Sequence, residues 1–308
     1  MAVLYRSDAA RGAAWARFFA EHAPDLDFRV WPDAGNLADI EYLIAWQAPP
    51  EFIASLPRLR VLFSSGAGVD HVDFSALPAH VPLVRMVEPG IIDGMVEYVS
   101  LAVLALHRDF FDYVAQKSSR SWNPIEVPPA SSRRVGVMGL GSLGTAVLER
   151  LAVYGFRLRG WNRSARTLAG VETFSSAEQL RPFLEGSDIL VCLLPLTAET
   201  QGMLNREVFA ALPAGASLIN VGRGPHVVDA DLLAALDSGR LSRAILDVTD
   251  PEPLPAGHPF WGHPRVFVTP HVASMTQPET AAPILLDNIR RHRRGDFLVG
   301  MVDRTKGY

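Results

Sequence analysis

The chain reads as an α/β protein with parallel, doubly wound sheets and room for two domains. Three observations carry this. Short apolar runs alternate with longer amphipathic stretches along nearly the whole length, the pattern of parallel strands with helices packed on their faces. The chain has 308 residues, about two domains' worth. A glycine-rich turn, Gly139-Leu140-Gly141-Ser142-Leu143-Gly144, stands between an apolar run and the start of a helical pattern.

In chain order, strands are expected at Ala2–Tyr5, Phe28–Trp31, Tyr42–Trp46, Val61–Ser64 and Leu83–Met86, with helices such as Ala9–Ala20 and Pro50–Leu56 between them. One long apolar helix is expected from Gly94 to Lys117. Val96, Val99, Val103, Leu106, Phe110 and Val114 follow helical spacing, while Leu101, Leu104 and Phe111 lie off that stripe. Such a helix buries two faces, either between two domains or against a second subunit. Ser119–Ser132, with Pro124, Pro128 and Pro129, is a loop or arm. The alternation then restarts. Strands fit Arg134–Met138, Arg157–Trp161, Ile189–Leu193, Ser217–Val221, Ala244–Val248 and Val266–Thr269; helices fit Leu143–Tyr154, Ala177–Leu184, Asn205–Leu212, Asp229–Ser238 and Gln277–Arg294. The last ends in Arg290, Arg291, Arg293 and Arg294, cations suited to the negative end of a helix dipole.

Composition excludes several functions. The 29 basic and 33 acidic residues give a net charge of −4, against a general nucleic-acid binder. Nearly half the residues, 48%, are hydrophobic, enough for a large core. The single cysteine, Cys192, excludes a disulfide framework and points to a reducing, cytoplasmic setting. The apolar runs Val99–Leu106 and Ile189–Leu196 fall short of a membrane span, and Asp8 and Arg11 interrupt the place of a signal peptide, so no membrane partner is expected. His258, His263 and His271 lack metal-ligand spacing, so no metal is expected. No Gly-x-Ser-x-Gly elbow is present.

The remaining motifs point to hydride chemistry. In the glycine turn, Gly139 permits the tight bend, Gly141 lets a pyrophosphate approach the backbone, and Gly144 lets helix and strand pack closely. The helix start offers free N–H groups to phosphate. A methyl-transfer fold with another adenosine cofactor is the rival reading. An NAD site wants an acid at the end of the following strand; this chain has Asn162, followed by Arg163, Ser164 and Arg166. Guanidiniums bind a 2′-phosphate where a carboxylate would repel it, so NADP(H) is preferred over NAD(H). Arg223, Asp247, Glu252 and His271 follow successive later strands, where ligands of open α/β sheets bind. An Arg fork holds a carboxylate or carbonyl, a His delivers a proton as hydride arrives, and a neighbouring carboxylate stabilises the imidazolium. In the first domain, the backbone of Gly66, Ala67 and Gly68 can form an anion-binding nest or a plain turn. Trp46 either walls a small pocket or belongs to the core.

These motifs as a set resemble the D-isomer-specific 2-hydroxyacid dehydrogenases nearly end to end. The resemblance rests on the glycine turn, Asn220–Gly224, Leu246–Leu254 and Thr269–Val272, with Ser65–His71 and Glu97–Val99 in support. Within the family, Trp161–Ser164, the tail Val302–Tyr308, and Trp46 before Pro49-Pro50 resemble the glyoxylate/hydroxypyruvate reductase A branch. The resemblance implies two Rossmann-like domains. The substrate domain (residues 1–95 with 277–308) is discontinuous, the dinucleotide-binding domain (96–276) is inserted, and the active site lies in the interdomain cleft. It implies that Arg223 orients the substrate, His271 is the acid/base and Glu252 its partner. Asp247 faces the nicotinamide; Leu194, Pro195, Val221 and Gly222 line the cofactor; Arg163 takes the 2′-phosphate; and the Gly66–Gly68 backbone holds the carboxylate. A homodimer through the coenzyme domain is also implied. Two positions depart from the family: the acidic ribose ligand is absent, and Leu148 stands where alanine is frequent. The expected activity is NADPH-dependent reduction of small 2-oxo acids, chiefly glyoxylate and hydroxypyruvate. A longer or phosphorylated 2-oxo acid, or a dinucleotide-sensing binding protein, are the alternatives.

Overall fold

The computed structural model describes residues 1–307; Tyr308, at the end of the tail singled out above, lies outside the described residues. The elements run β1 (Ala2–Arg6), α1 (Ala9–His22), β2 (Asp27–Val30), β3 (Ile40–Ala45), α2 (Pro50–Ala54), β4 (Val61–Ser64), β5 (Leu83–Val84), α3 (Pro89–His107), α4 (Phe110–Ser119), β6 (Arg134–Met138), α5 (Ser142–Ala152), β7 (Arg157–Asn162), β8 (Val171–Ser175), α6 (Leu180–Glu185), β9 (Ile189–Cys192), α7 (Arg206–Ala211), β10 (Ala216–Asn220), α8 (Asp229–Asp237), β11 (Leu241–Leu246), α9 (Pro259–Gly262), β12 (Val266–Val268) and α10 (Pro278–Arg294). The chain divides into two compact units, Met1–Ile91 with Met275–Tyr308, and Ile92–Ser274.

The first unit is built on a five-stranded sheet in the order β2-β1-β3-β4-β5, and the second on a seven-stranded sheet in the order β12-β11-β10-β9-β6-β7-β8. All pairings within the two sheets are parallel. Strands covered on both faces need apolar residues at every position rather than at alternate ones. Ile189-Leu190-Val191-Cys192 of β9 and Tyr42-Leu43-Ile44-Ala45 of β3 are buried throughout for this reason. The order reverses beside β1 in the first unit and beside β6 in the second, and ligands of such sheets sit beyond the strand ends at that reversal.

Three expectations need correction. The helix expected from Gly94 to Lys117 is two helices, α3 and α4, and the first begins at Pro89. The break falls at Asp109, whose φ of 51° is left-handed, a conformation that Asp tolerates better than most residues. Glu88 starts α3: its carboxylate accepts the N–H groups of Gly90 and Ile91 at 2.6 and 2.9 Å. A strand at Val171–Ser175 and a short helix at Pro259–Gly262 were not anticipated. Finally, α3 is long and apolar enough, by length and composition, to cross a membrane. Its residues Met95, Val99, Ala102, Val103 and Leu106 pack into the second unit's core with Val137, Val147 and Ile219. Leu148 joins the same core, 1% exposed. The arginines closing α10 have partners within the first unit: Arg291 pairs with Asp287, Arg293 with Asp25 and Arg294 with Asp296.

One ion pair ties the start of β6 to the residue before β9. Asp188 accepts from the Arg134 backbone N–H at 2.8 Å and from its Nη2 at 2.6 Å. Burial pushes the Asp188 carboxyl up, but the Arg134 bonds outweigh burial and hold it below its ordinary value. A depressed carboxyl stabilises the fold at neutral pH, and that stabilisation disappears as pH falls through the folded-state value. Asp188→Asn should therefore lower Tm clearly at pH ~7, and the gap from the parent should close below pH ~4. Thermal melts across that range check this; a gap independent of pH would reject it.

Candidate active site

The glycine turn joins β6 to α5 beside the point where the sheet order reverses. Gly139 has φ +101°, and a Cβ there would stand 2.8 Å from the Leu193 carbonyl oxygen, so both the bend and the close approach require glycine. A side chain on Gly144 would fall on the Gly139 carbonyl. Nothing stands within 4 Å of a Cβ position on Gly141. No side chain caps α5 either, so the first-turn N–H groups, beginning at Ser142 and Leu143, face open ground. Leu193 and Leu194 border the turn from the end of β9, with the Leu193 N–H on the Met138 carbonyl. A pyrophosphate fits this cradle.

The turn after β7 is held from within. Asn162 Oδ1 accepts the Leu140 N–H at 3.3 Å, and its Nδ2 donates to the carbonyl and hydroxyl of Ser164 at 3.0 Å each. Asn162 thus fastens this turn to the glycine loop. Arg163 and Arg166 are exposed beyond it. Arg163 Nη1 lies 2.8 Å from Glu199 Oε2, with both side chains at least half exposed. A solvated pair of this kind is worth little.

The loops after β10, β11 and β12 carry the polar groups. These strands are neighbours, with Asn220 opposite Leu246 and Leu246 opposite Val268. Arg223 follows β10; its Nη1 donates to the Gly222 carbonyl at 2.7 Å. Its own carbonyl accepts from Asn220 Nδ2 at 2.9 Å. A side chain on Gly224 would fall on the Thr249 carbonyl, so glycine lets the Arg223 loop lie against the loop bearing Glu252. Glu252 Oε1 accepts the Thr249 N–H at 3.1 Å, and Oε2 lies 2.8 Å from His271 Nδ1. The structure therefore brings together the predicted acid/base and its carboxylate. Both side chains are a little over one third exposed.

His271 has φ +56°, left-handed for a non-glycine residue, and this needs support from its surroundings. The support is Asp247, which is 2% exposed. Its carbonyl accepts the His271 N–H at 2.8 Å; its carboxylate accepts from Val272 N, Ala273 N and Thr269 Oγ1 at 2.9, 2.8 and 2.6 Å. Tyr98 on α3 extends the chain, its hydroxyl 2.5 Å from Thr269 Oγ1. Burial pushes that phenol up to about 12, so it stays protonated. Asp247, expected beside the nicotinamide, has its carboxylate oxygens engaged in holding the His271 loop.

The other predicted residues lie in the first unit. Ser64 Oγ accepts the Gly66 N–H at 3.3 Å and donates to the Gly68 carbonyl at 3.1 Å, shaping the Gly66–Gly68 turn. The N–H groups of Ala67 and Gly68 donate to no group among the described residues. Trp46 follows β3 and stacks on His71, ring centroids 3.9 Å apart. A Cβ on Gly66 would stand 2.5 Å from the Trp46 ring, so this glycine makes room for the indole.

Residues 100–273 match the model of the NAD-binding domain of D-isomer-specific 2-hydroxyacid dehydrogenases. Glyoxylate/hydroxypyruvate reductase A of Yersinia enterocolitica is 39% identical over 96% of both chains. A D-isomer-specific 2-hydroxyacid dehydrogenase of Xanthobacter autotrophicus, solved with NADPH and MES, is 40% identical with a TM-score of 0.95 over 99% of both chains. An NADPH-dependent glyoxylate/hydroxypyruvate reductase of Sinorhizobium meliloti, solved with NADP and sulfate, is 36% identical with a TM-score of 0.93 over 100% of this chain and 99% of that one.

The chain belongs to the D-isomer-specific 2-hydroxyacid dehydrogenase family.

In this 2-hydroxyacid dehydrogenase, sequence reasoning missed the groups that hold these loops: Asn220, Tyr98 and Thr269. Asn220 lies inside a quoted motif, three residues before Arg223, and its amide is suited to closing a turn of that length. Nothing in the sequence pairs Tyr98 with Thr269, which are 171 residues apart.

Proposed function

We propose that this chain reduces small 2-oxo acids with NADPH, glyoxylate and hydroxypyruvate foremost, giving glycolate and D-glycerate. The observation that carries the reading is the His271–Glu252 pair at 2.8 Å, on a loop neighbouring that of Arg223. NADPH supplies a hydride to the carbonyl carbon. Arg223 holds the substrate carboxylate and carbonyl in one plane, and His271 delivers the balancing proton from Nε2 to the carbonyl oxygen while Nδ1 stays on Glu252.

The unit Ile92–Ser274 serves as the dinucleotide-binding domain. Gly139, Gly141, Ser142, Leu143 and Gly144 take the pyrophosphate, while Leu194, Pro195, Val221 and Gly222 flank the nicotinamide. Arg163, with Ser164 and Arg166, exchanges Glu199 for the 2′-phosphate. In the other unit, the free N–H groups of Ala67 and Gly68 bind a carboxylate, and Trp46 restricts the substrate to small side chains. A homodimer through the coenzyme domain is supported by the apolar exposure of Leu101, Phe110, Val114 and Trp122, the last 96% exposed; sedimentation at the mass of two chains checks it. The single buried thiol, Cys192, fits a cytoplasmic setting.

The decisive experiment follows NADPH absorbance with glyoxylate, hydroxypyruvate and pyruvate, repeated with NADH. Rapid oxidation of NADPH with either of the first two, and a much slower NADH rate, is expected. NADPH binding without turnover on any acid would replace this reading with that of a dinucleotide-sensing protein.

The Glu252 assignment has its own test. Glu252→Gln weakens the bond that holds His271 Nδ1 and with it the aim of Nε2, so kcat for glyoxylate reduction should fall about tenfold or more while NADPH Kd stays within about threefold. An unchanged kcat would remove Glu252 from the positioning of His271.

A further inference from the structure

The backbone of Arg223 is fastened by a ring that none of the steps above uses. Residues Gly224–His226 form a single 3-10 turn, capped by Arg223 in extended conformation. In a capping box, the third residue of the turn reaches back to the N–H of the cap, normally with a Glu or Gln side chain. Here the third residue is His226, and its Nδ1 lies 3.0 Å from the Arg223 amide nitrogen. An amide N–H only donates, so Nδ1 is the bare nitrogen and Nε2 carries the ring proton. Nε2 lies 3.3 Å from the Pro195 carbonyl oxygen, which only accepts, so both contacts demand the same tautomer. The ring is fully buried, with the Cys192 sulfur 3.9 Å from Nδ1. A Cβ on Gly222 would stand 3.0 Å from Nδ1 and Cε1, tighter than side chains ordinarily pack, so glycine at 222 gives the ring its room. One imidazole thereby ties the segment after β9, at Pro195, to Arg223 after β10.

We propose that His226 is a positioning residue for Arg223, a neutral single-tautomer imidazole that fixes the arginine's backbone against Pro195 and so sets the affinity for the 2-oxo acid. This rests on the assignment of Arg223 to the substrate made above. The choice of ring has a chemical reason. A capping glutamate would bring a buried negative charge close to the guanidinium and compete with the substrate carboxylate for it. The neutral ring supplies the acceptor without that charge, and its second nitrogen reaches Pro195 from the other side. Losing it leaves the Arg223 N–H without this acceptor and frees the loop to shift, and shifts of about an ångström in a positioning group reduce rates heavily.

The test compares His226→Gln, His226→Glu and His226→Leu with Arg223→Ala, reading glyoxylate KM and kcat at saturating NADPH and the NADPH Kd by fluorescence. His226→Gln, a neutral acceptor, should keep kcat/KM within about fivefold of the parent, while His226→Leu should raise the glyoxylate KM about tenfold or more with a smaller change in kcat. His226→Glu, equal in size to Gln, should be about tenfold worse than Gln, and NADPH Kd should stay within about threefold throughout. Imidazole nitrogen shifts at neutral pH should show Nδ1 bare and Nε2 protonated. An unchanged KM in His226→Leu, equal behaviour of Gln and Glu, or a proton on Nδ1 would overturn the proposal. If the Leu variant does not fold, the Gln–Glu pair decides alone. If Arg223→Ala leaves KM and kcat intact, the assignment of Arg223 fails and takes this one with it; a crippled Arg223→Ala beside an unimpaired His226→Leu rejects the positioning role alone.

Discussion

Alanine in place of His271 is expected to lower kcat for 2-oxo acid reduction by about 10²–10⁴-fold, the usual worth of a general acid. The imidazole is the proton donor in the proposed step, and the neighbouring carboxylate, Glu252, faces Nδ1, leaving Nε2 for the substrate oxygen. Hydride transfer without that proton would leave an alkoxide to be protonated by water. NADPH binding should persist with Kd within about threefold, because the phosphate cradle lies on the β6–α5 turn and the ring makes no bond there. The backbone reinforces the choice of probe. His271 is in the left-handed region, so alanine there adds strain; asparagine tolerates that region better and controls for it. Transient kinetics with NADPH pre-bound separate the two parameters. A kcat within about threefold of the parent in both variants would reject His271 as the acid.

Arg223→Ala should reduce kcat/KM by about 10³-fold or more, through loss of paired charge-assisted bonds to the substrate carboxylate. Both parameters should suffer. The fork fixes the plane of the carbonyl relative to the proton donor, so its loss affects orientation in the transition state as well as binding. Arg223→Lys separates charge from shape, because it keeps the cation and loses the planar fork; it should recover only part of the loss. The variant should fold, because the backbone of residue 223 keeps its bonds to Asn220 and His226, which do not involve the guanidinium. Steady-state assays over a wide glyoxylate range check this, and a kcat/KM within about tenfold of the parent would exclude Arg223 from substrate binding.

Much of the architecture was legible because its strands are covered on both faces. Ile189–Cys192 and Ala2–Tyr5 are unbroken apolar runs, and burial of every residue leaves no other reading. The edge strand Val171–Ser175 was not legible, because it is only half-buried and carries Glu172, Thr173 and Ser175 among its five residues. The break between α3 and α4 was hidden for the opposite reason: the apolar stripe continues through Phe110 and Val114, although the backbone turns at Asp109. The proposed reactive groups were picked out by position, since Arg223, Glu252 and His271 each follow a strand of the same sheet. The groups that orient them were not. The links from Tyr98 through Thr269 to Asp247 join residues far apart in sequence, and only packing brings them together.

Asp247 gives this arrangement a mechanical character. Its main chain and side chain between them take the N–H groups of His271, Val272 and Ala273. A loop fastened at three successive amides to the residue that follows the neighbouring strand is firmly held. Its three amide protons should therefore exchange with solvent slowly for a loop at a strand end. The proposed proton donor therefore rests on a loop held as firmly as the strand ends beneath it.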